Sequence, residues 1–139
     1  MIHIEARFGE DGFPIASIRV RKSGAVPADQ GLLKWAIIDT ASASTYIDPK
    51  LLKSDLGLVA APGEYVPYAT PQGTGQAEAY YVSFWARSVN GGPDELVQSS
   101  WKVGGLKPRV QPILLGMDFL RLCNLIVSGP VTKVELALV

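Results

Sequence analysis

Carboxylates are the side chains of this sequence best placed to do chemistry. Of the seven aspartates, Asp11 and Asp94 fall in turn-like segments, Asp29 in a loop, Asp48 at a helix start and Asp55 on the outward face of that helix. Asp39 is placed differently. It follows Trp35-Ala36-Ile37-Ile38, so an apolar strand delivers a carboxylate to whatever lies at its end. Thr40, Ala41, Ser42, Ala43 and Ser44 come next, small residues that leave room around it and offer hydroxyls. An ionisable group at the end of a buried strand is costly unless it is hydrogen-bonded or shares its charge. On these residues alone two accounts stand: a carboxylate poised for acid–base work, or a strand-end turn in which the aspartate accepts bonds from the local backbone.

Other chemistries lack the side chains they need. The lone histidine, His3, sits in an alternating segment and reads as a surface residue rather than the base of a Ser-His or Cys-His pair. One histidine and one cysteine do not supply the three or four ligands of a zinc site, so no metal and no cofactor is expected. Cys123, between Leu122 and Asn124, reads as a small buried hydrophobe. Gly73-Thr74-Gly75 has neither the lysine nor the helix of a phosphate-cradling loop.

The elements around Asp39 are short and closely punctuated, by 14 glycines and 10 prolines. Ile2, Ile4, Ala6 and Phe8 alternate as one strand. Phe13–Arg21 predicts a second, with a bulge where the apolar phase slips between Ile15 and Ile18. Leu32–Ile38 predicts a strand buried on both faces. Asp48 as cap, Pro49 in the first turn and Gly57 at the end frame a helix through Leu51, Leu52 and Leu56. Tyr65–Thr70 and Ala77–Ala86 pair as a hairpin tipped by Pro71-Gln72-Gly73-Thr74-Gly75, and Tyr80, Val82 and Phe84 share a face of its second strand. Strands over Leu96–Val103, Val110–Leu115, Leu125–Val127 and Val131–Leu138, with a helical turn at Asp118–Leu122, complete one all-β domain over residues 1–139, a closed or nearly closed barrel with one or two short helices.

Two segments resemble the retropepsin-like aspartic proteases. Ile37-Ile38-Asp39-Thr40-Ala41-Ser42 is similar to the Asp-Thr-Gly-Ala/Ser signature. Pro112-Ile113-Leu114-Leu115-Gly116-Met117-Asp118-Phe119-Leu120 is similar to the second signature, in a form closer to retrotransposon and bacterial members than to the retroviral Gly-Arg-Asn or Gly-Arg-Asp. The likeness runs from about Lys34 to the C-terminus, and the Arg21–Gln30 loop has no counterpart in it. It implies a catalytic Asp39 with a single copy per chain, hence a homodimer whose two aspartates meet at a twofold axis. It implies that Thr40 braces the two loops across that axis and that Ser42 bonds the carboxylate. The hairpin carrying Thr70, Gly73, Thr74 and Gly75 becomes the flap that closes on an extended peptide or protein substrate. Ala41 stands where the family has glycine, adding a methyl group where a peptide would approach. The resemblance therefore implies either an aspartic endopeptidase or a catalytically impaired peptide-binding or dimerisation module. A third expectation outside the family is a small β-barrel binding protein in which Asp39 is only a turn residue.

Composition narrows the partners. Formal net charge is zero, from 13 basic and 13 acidic side chains, which removes the main electrostatic argument for nucleic acid and weakens that for an anionic membrane surface. A single cysteine allows no intrachain disulfide. Charges within the first ten residues argue against a signal peptide, and no run approaches the ~20 apolar residues of a membrane span, so a soluble, cytoplasmic chain is expected.

Overall fold

A computed structural model describes every residue of the chain except Val89. Its described residues form eleven strands, β1 (Ile2–Ile4), β2 (Ala6–Phe8), β3 (Pro14–Lys22), β4 (Leu32–Ile38), β5 (Tyr46–Ile47), β6 (Tyr65–Thr70), β7 (Gly73–Ala86), β8 (Glu95–Gly105), β9 (Ile113–Leu115), β10 (Cys123–Ser128) and β11 (Lys133–Leu138). Two short helical segments, α1 (Leu51–Asp55) and α2 (Met117–Leu120), complete the elements. The main sheet runs β2-β3-β4-β9-β5-β8-β7-β6, and pairing of β3 with β7 closes six of these strands into a barrel. The all-β expectation holds. A separate sheet of order β1-β11-β10 joins the two chain ends. No helix among the described residues is long and apolar enough to cross a membrane.

The barrel interior is filled by Ile18, Ile38, Ile47, Leu52, Tyr80, Val82, Phe84, Val103, Ile113, Leu115 and Phe119, all buried. The expected common face of Tyr80, Val82 and Phe84 is this core. Phe119 packs edge-to-face on Phe84 and Trp101, with ring centroids 5.6 and 6.1 Å apart, so α2 is anchored in the barrel by an aromatic cluster.

Three local expectations are corrected by tertiary pairing. The first strand is two: β1 pairs with β11, while β2 pairs with β3, and the chain changes sheets at Glu5. β3 runs in unbroken register with β4 from Ile15↔Ile37 to Val20↔Leu32, so no bulge lies there. Its apolar phase slips because Ile15, Ala16, Ser17 and Ile18 are all buried, a strand covered on both faces needing no alternation. The irregularity falls instead on β7 against β8, between Val82 and Phe84 and again before Trp85. β4 is only half-buried through Leu32, Leu33, Lys34 and Trp35, with Arg7 stacked 4.4 Å from the Trp35 ring, and is fully buried at Ala36 and Ile38. The expected helix between Asp48 and Gly57 forms, with π-type bonding at its end: Leu56 N–H donates to Leu51 O at 2.9 Å, Asp48 accepts from Lys50 N–H at 3.0 Å and Gly57 leaves at φ +64°.

Asp94 and the Arg21–Gln30 loop also take on a defined role. Arg21, 6% exposed, donates through Nε to Asp29 O and through Nη2 to Pro27 O, both at 2.9 Å, and lies 4.8 Å from the Trp85 ring. Asp94 accepts from both Arg19 Nε at 2.6 Å and Arg21 Nη1 at 3.1 Å. The loop is thus folded around a buried guanidinium whose charge Asp94 answers.

Candidate functional site

β4 ends beside β9, and the two run parallel with Ile38 opposite Leu115. The ladder is carried one residue further by Asp39 N–H, which donates to Leu115 O at 3.0 Å. Asp39 therefore leaves the barrel wall from a backbone position bonded to the end of β9. Beyond it the chain turns tightly: Ser42 N–H donates to Asp39 O at 3.2 Å, and Ala41 N–H donates to the Asp39 carboxylate Oδ1 at 2.9 Å. The Ser42 hydroxyl donates to Ser44 O at 2.8 Å, so it stabilises the loop, and the bond to the carboxylate comes from the Ala41 backbone.

A second segment clamps this loop from below. Met117 N–H donates to Ser42 O at 2.7 Å and Asp118 N–H to Ala43 O at 3.1 Å, joining the start of α2 to the residues that follow Asp39. Thr45, fully buried, accepts from Gly116 N–H at 3.1 Å and donates to Asp118 Oδ1 at 2.8 Å. Trp101 Nε1–H and Phe119 N–H complete the bonds to the Asp118 carboxylate, at 3.3 and 2.9 Å. The backbone comes so close that a Cβ at Gly116 would collide with the Ser44 carbonyl oxygen, 2.5 Å from its carbon and 2.9 Å from Ser42 O. Asp39 and Gly116-Met117-Asp118, 77 positions apart at their closest in sequence, form one cross-braced loop pair.

Over this pair hangs the β6–β7 hairpin. Its strands pair as far as Thr70↔Gly73, so the tip is Pro71-Gln72, tighter than expected, and Gly73 and Gly75 belong to β7. Thr70 Oγ1 accepts from Gln72 N–H at 3.3 Å and donates to Gly73 O at 3.2 Å, and Gly73 takes φ +137°, a conformation that favours glycine. Gly75 lies under the Tyr68 ring, where a Cβ would come within 2.5 Å of Cζ. Tyr46 ties the hairpin to the floor through a hydrogen bond from its hydroxyl to Pro67 O. Burial pushes the Tyr46 phenol up from its ordinary value, with Ser44 working against the shift and the Asp118 charge adding to it, which keeps the hydroxyl a donor.

Between hairpin and loop runs a groove of about 770 Å³. It brings together Asp39, Ala41, Ser42, Thr70, Thr74 and Gly75 of the residues singled out in the sequence, whereas Thr40 and Gly73 lie outside its lining. Thr40 is exposed at the crest of the loop. Sequence reasoning missed Tyr46, Tyr68, Leu106, Lys107 and Arg109, which also line the groove. It missed Thr45 and Asp118 as braces too. The only sequence signal for the braces was the glycine of the second motif; the 106–109 wall carries none, because it is a loop joined to the site solely through tertiary folding.

Ala41 has ordinary backbone geometry: Thr132 is the one non-glycine residue with positive φ among those described. Ala41→Gly is accordingly expected to lower stability by about 0.4–1 kcal/mol through added freedom of the unfolded chain. Thermal denaturation checks this, and an unchanged or raised midpoint would show that alanine is strained there.

His3 is exposed on β1, away from any base role. The Cys123 thiol is pushed up by burial to about 11, so it is protonated and inert as a nucleophile at neutral pH. Among the described residues no group of three or more His, Cys, Asp or Glu side chains is arranged to hold a metal ion. Comparison with protein-family models and with curated proteins finds no match to this chain.

Proposed function

We propose that the chain is a retropepsin-like aspartic endopeptidase, cytoplasmic and active as a homodimer. The observation that carries this is Asp39, set at the mouth of a peptide-sized groove by a strand end and a cross-braced loop, beneath a glycine-bearing hairpin. Asp39 is the one carboxylate lining that groove, so the second carboxylate of the reaction comes from the Asp39 of another copy. Two carboxylates about 3 Å apart do not both ionise readily and hold one proton between them. The ionised member takes a proton from a bound water as that water attacks the scissile carbonyl carbon. The protonated member gives its proton to the carbonyl oxygen, and the tetrahedral intermediate collapses with proton transfer to the leaving amine. The hairpin covers the substrate as it lies extended in the groove.

A catalytically impaired peptide-binding module remains the second assignment, because Ala41 lines the groove and narrows it by one methyl group. One assay separates the two. Wild type is expected to cleave unstructured peptides between pH 4 and 7, with activity per chain rising with concentration as dimers form. Asp39→Asn is expected to reduce cleavage by about 10²–10⁴-fold without moving the thermal midpoint. Equal cleavage by both proteins would remove the enzyme assignment, as would a concentration-independent activity of a strict monomer remove the shared site.

A further inference from the structure

The groove has a charge pattern that the chemistry at Asp39 does not require. Its lining includes Lys107 and Arg109, both exposed, and Asp39 is its sole acidic residue. The ion pairs found among the described residues are made by Arg19, Arg21, Lys53, Arg87, Lys102 and Lys133, and none uses Lys107 or Arg109. Neither cation has a side-chain hydrogen bond among the described residues either. In a chain whose charges balance overall, one wall of one groove therefore presents two uncommitted cations.

The backbone that carries these cations is anchored at both ends. Leu106 N–H donates to Ile47 O at 3.2 Å and to Gly104 O at 3.1 Å, and at the other end of the loop Pro112 O accepts from Asp48 N–H at 2.8 Å. Pro108 fixes φ between the two charged residues. The rest of the lining is neutral: Tyr68, Thr70, Thr74 and Gln76 offer uncharged polar groups, while Leu106, Leu114 and Pro67 offer apolar surface. No second anion in the lining competes for the cations.

We propose that the groove selects peptides carrying acidic side chains, with Lys107 and Arg109 as the specificity-determining residues. This deepens the peptide-groove assignment and rests on it. The acidic side chain lies beside the scissile bond rather than at it, because a pair of Asp39 carboxylates sharing one proton repels another anion. The apolar surface takes the neighbouring side chains, and a basic peptide is disfavoured by the same two charges.

The test uses fluorescein-labelled peptides with one apolar centre, flanked by glutamates, by glutamines or by lysines, and reads binding by anisotropy. Asp39→Asn is the background, so that cleavage is negligible over the measurement, and Lys107→Gln/Arg109→Gln is made in that same background. The glutamate peptide is expected to bind roughly fivefold more tightly than the glutamine peptide at low salt, and the lysine peptide more weakly than either. That ratio is expected to shrink towards one at high salt, and in the Lys107→Gln/Arg109→Gln protein. Equal affinity for glutamate and glutamine peptides overturns the proposal, as does a preference that survives loss of both cations, or the absence of any peptide binding. Wild-type cleavage without charge preference also overturns it and leaves the protease standing. A glutamate preference in a protein that cleaves nothing keeps it and removes the protease.

Discussion

Gly116→Ala is expected to destabilise the protein by about 3 kcal/mol or more, lowering the thermal midpoint by roughly 10 °C. The cause is steric rather than conformational. Gly116 has φ −95° and ψ −176°, an extended backbone open to any residue. What excludes a side chain is the partner loop: the added carbon would meet the carbonyl group of Ser44 and the carbonyl oxygen of Ser42. These are backbone atoms, so no rotamer change relieves the clash, and separating the loops strains the Met117–Ser42 and Gly116–Thr45 hydrogen bonds together. Against a total stability of about 5–15 kcal/mol for a domain, this is a large fraction. Gly129→Ala is the control, since an added carbon there meets nothing within 4 Å and its φ is not positive, and it is expected to stay within about 0.5 kcal/mol of wild type. Chemical denaturation of both variants decides the matter. If Gly116→Ala unfolds with wild-type stability, the loops are not in the close contact described.

The same contact explains what sequence could and could not reveal. Local pattern located the end of β4, the hairpin, the helical turn after Gly116 and the Tyr80-Val82-Phe84 face, because each is written in neighbouring residues: an apolar run, a turn, an alternation. The failures share a different origin. Ile15 to Ile18 read as a bulge because alternation was expected of a strand that is in fact covered on both faces. Ile2 to Phe8 read as one strand because nothing in its composition says that its halves join different sheets. Asp94 does lie in the connection between β7 and β8, as expected, but its partners, Arg19 and Arg21, are more than 70 positions away and leave no local sign. At the site, Asp39 and Gly116 were visible as types within motifs. Thr45, Asp118, Lys107 and Arg109 acquire meaning only once β5, β8 and β9 stand side by side. Ser42 shows a subtler limit: its hydroxyl was expected on the carboxylate, but Ser44 O, two residues on, takes it.

Asp118→Leu is expected to cost about 3 kcal/mol, as much as the clash at Gly116, although Asp118 does not line the groove. Its carboxylate accepts from three neutral donors, Thr45 Oγ1, Trp101 Nε1 and Phe119 N–H, and is the acceptor at the end of a relay from Gly116 N–H through Thr45. Leucine keeps the branched shape, with bulkier methyl groups in place of the oxygens, but leaves those part-buried donors without an acceptor, and Thr45 is fully buried. Asp118→Asn separates shape from acceptor capacity. Its amide oxygen can serve Thr45 and Phe119, while its NH₂ group faces the indole N–H donor of Trp101, so an intermediate loss of about 1 kcal/mol is expected. Thr45→Val alone orphans Gly116 N–H and is expected to cost a similar amount to other buried hydrogen-bond deletions, about 1–3 kcal/mol. If the relay is a single unit, the Thr45→Val/Asp118→Leu protein loses less than the sum of the two, because the first substitution has already broken what the second would break. Urea denaturation of the four proteins measures that coupling. Strict additivity, or a wild-type midpoint for Asp118→Leu, would mean that the loop beneath Asp39 is held by its backbone bonds to α2 and not by this carboxylate.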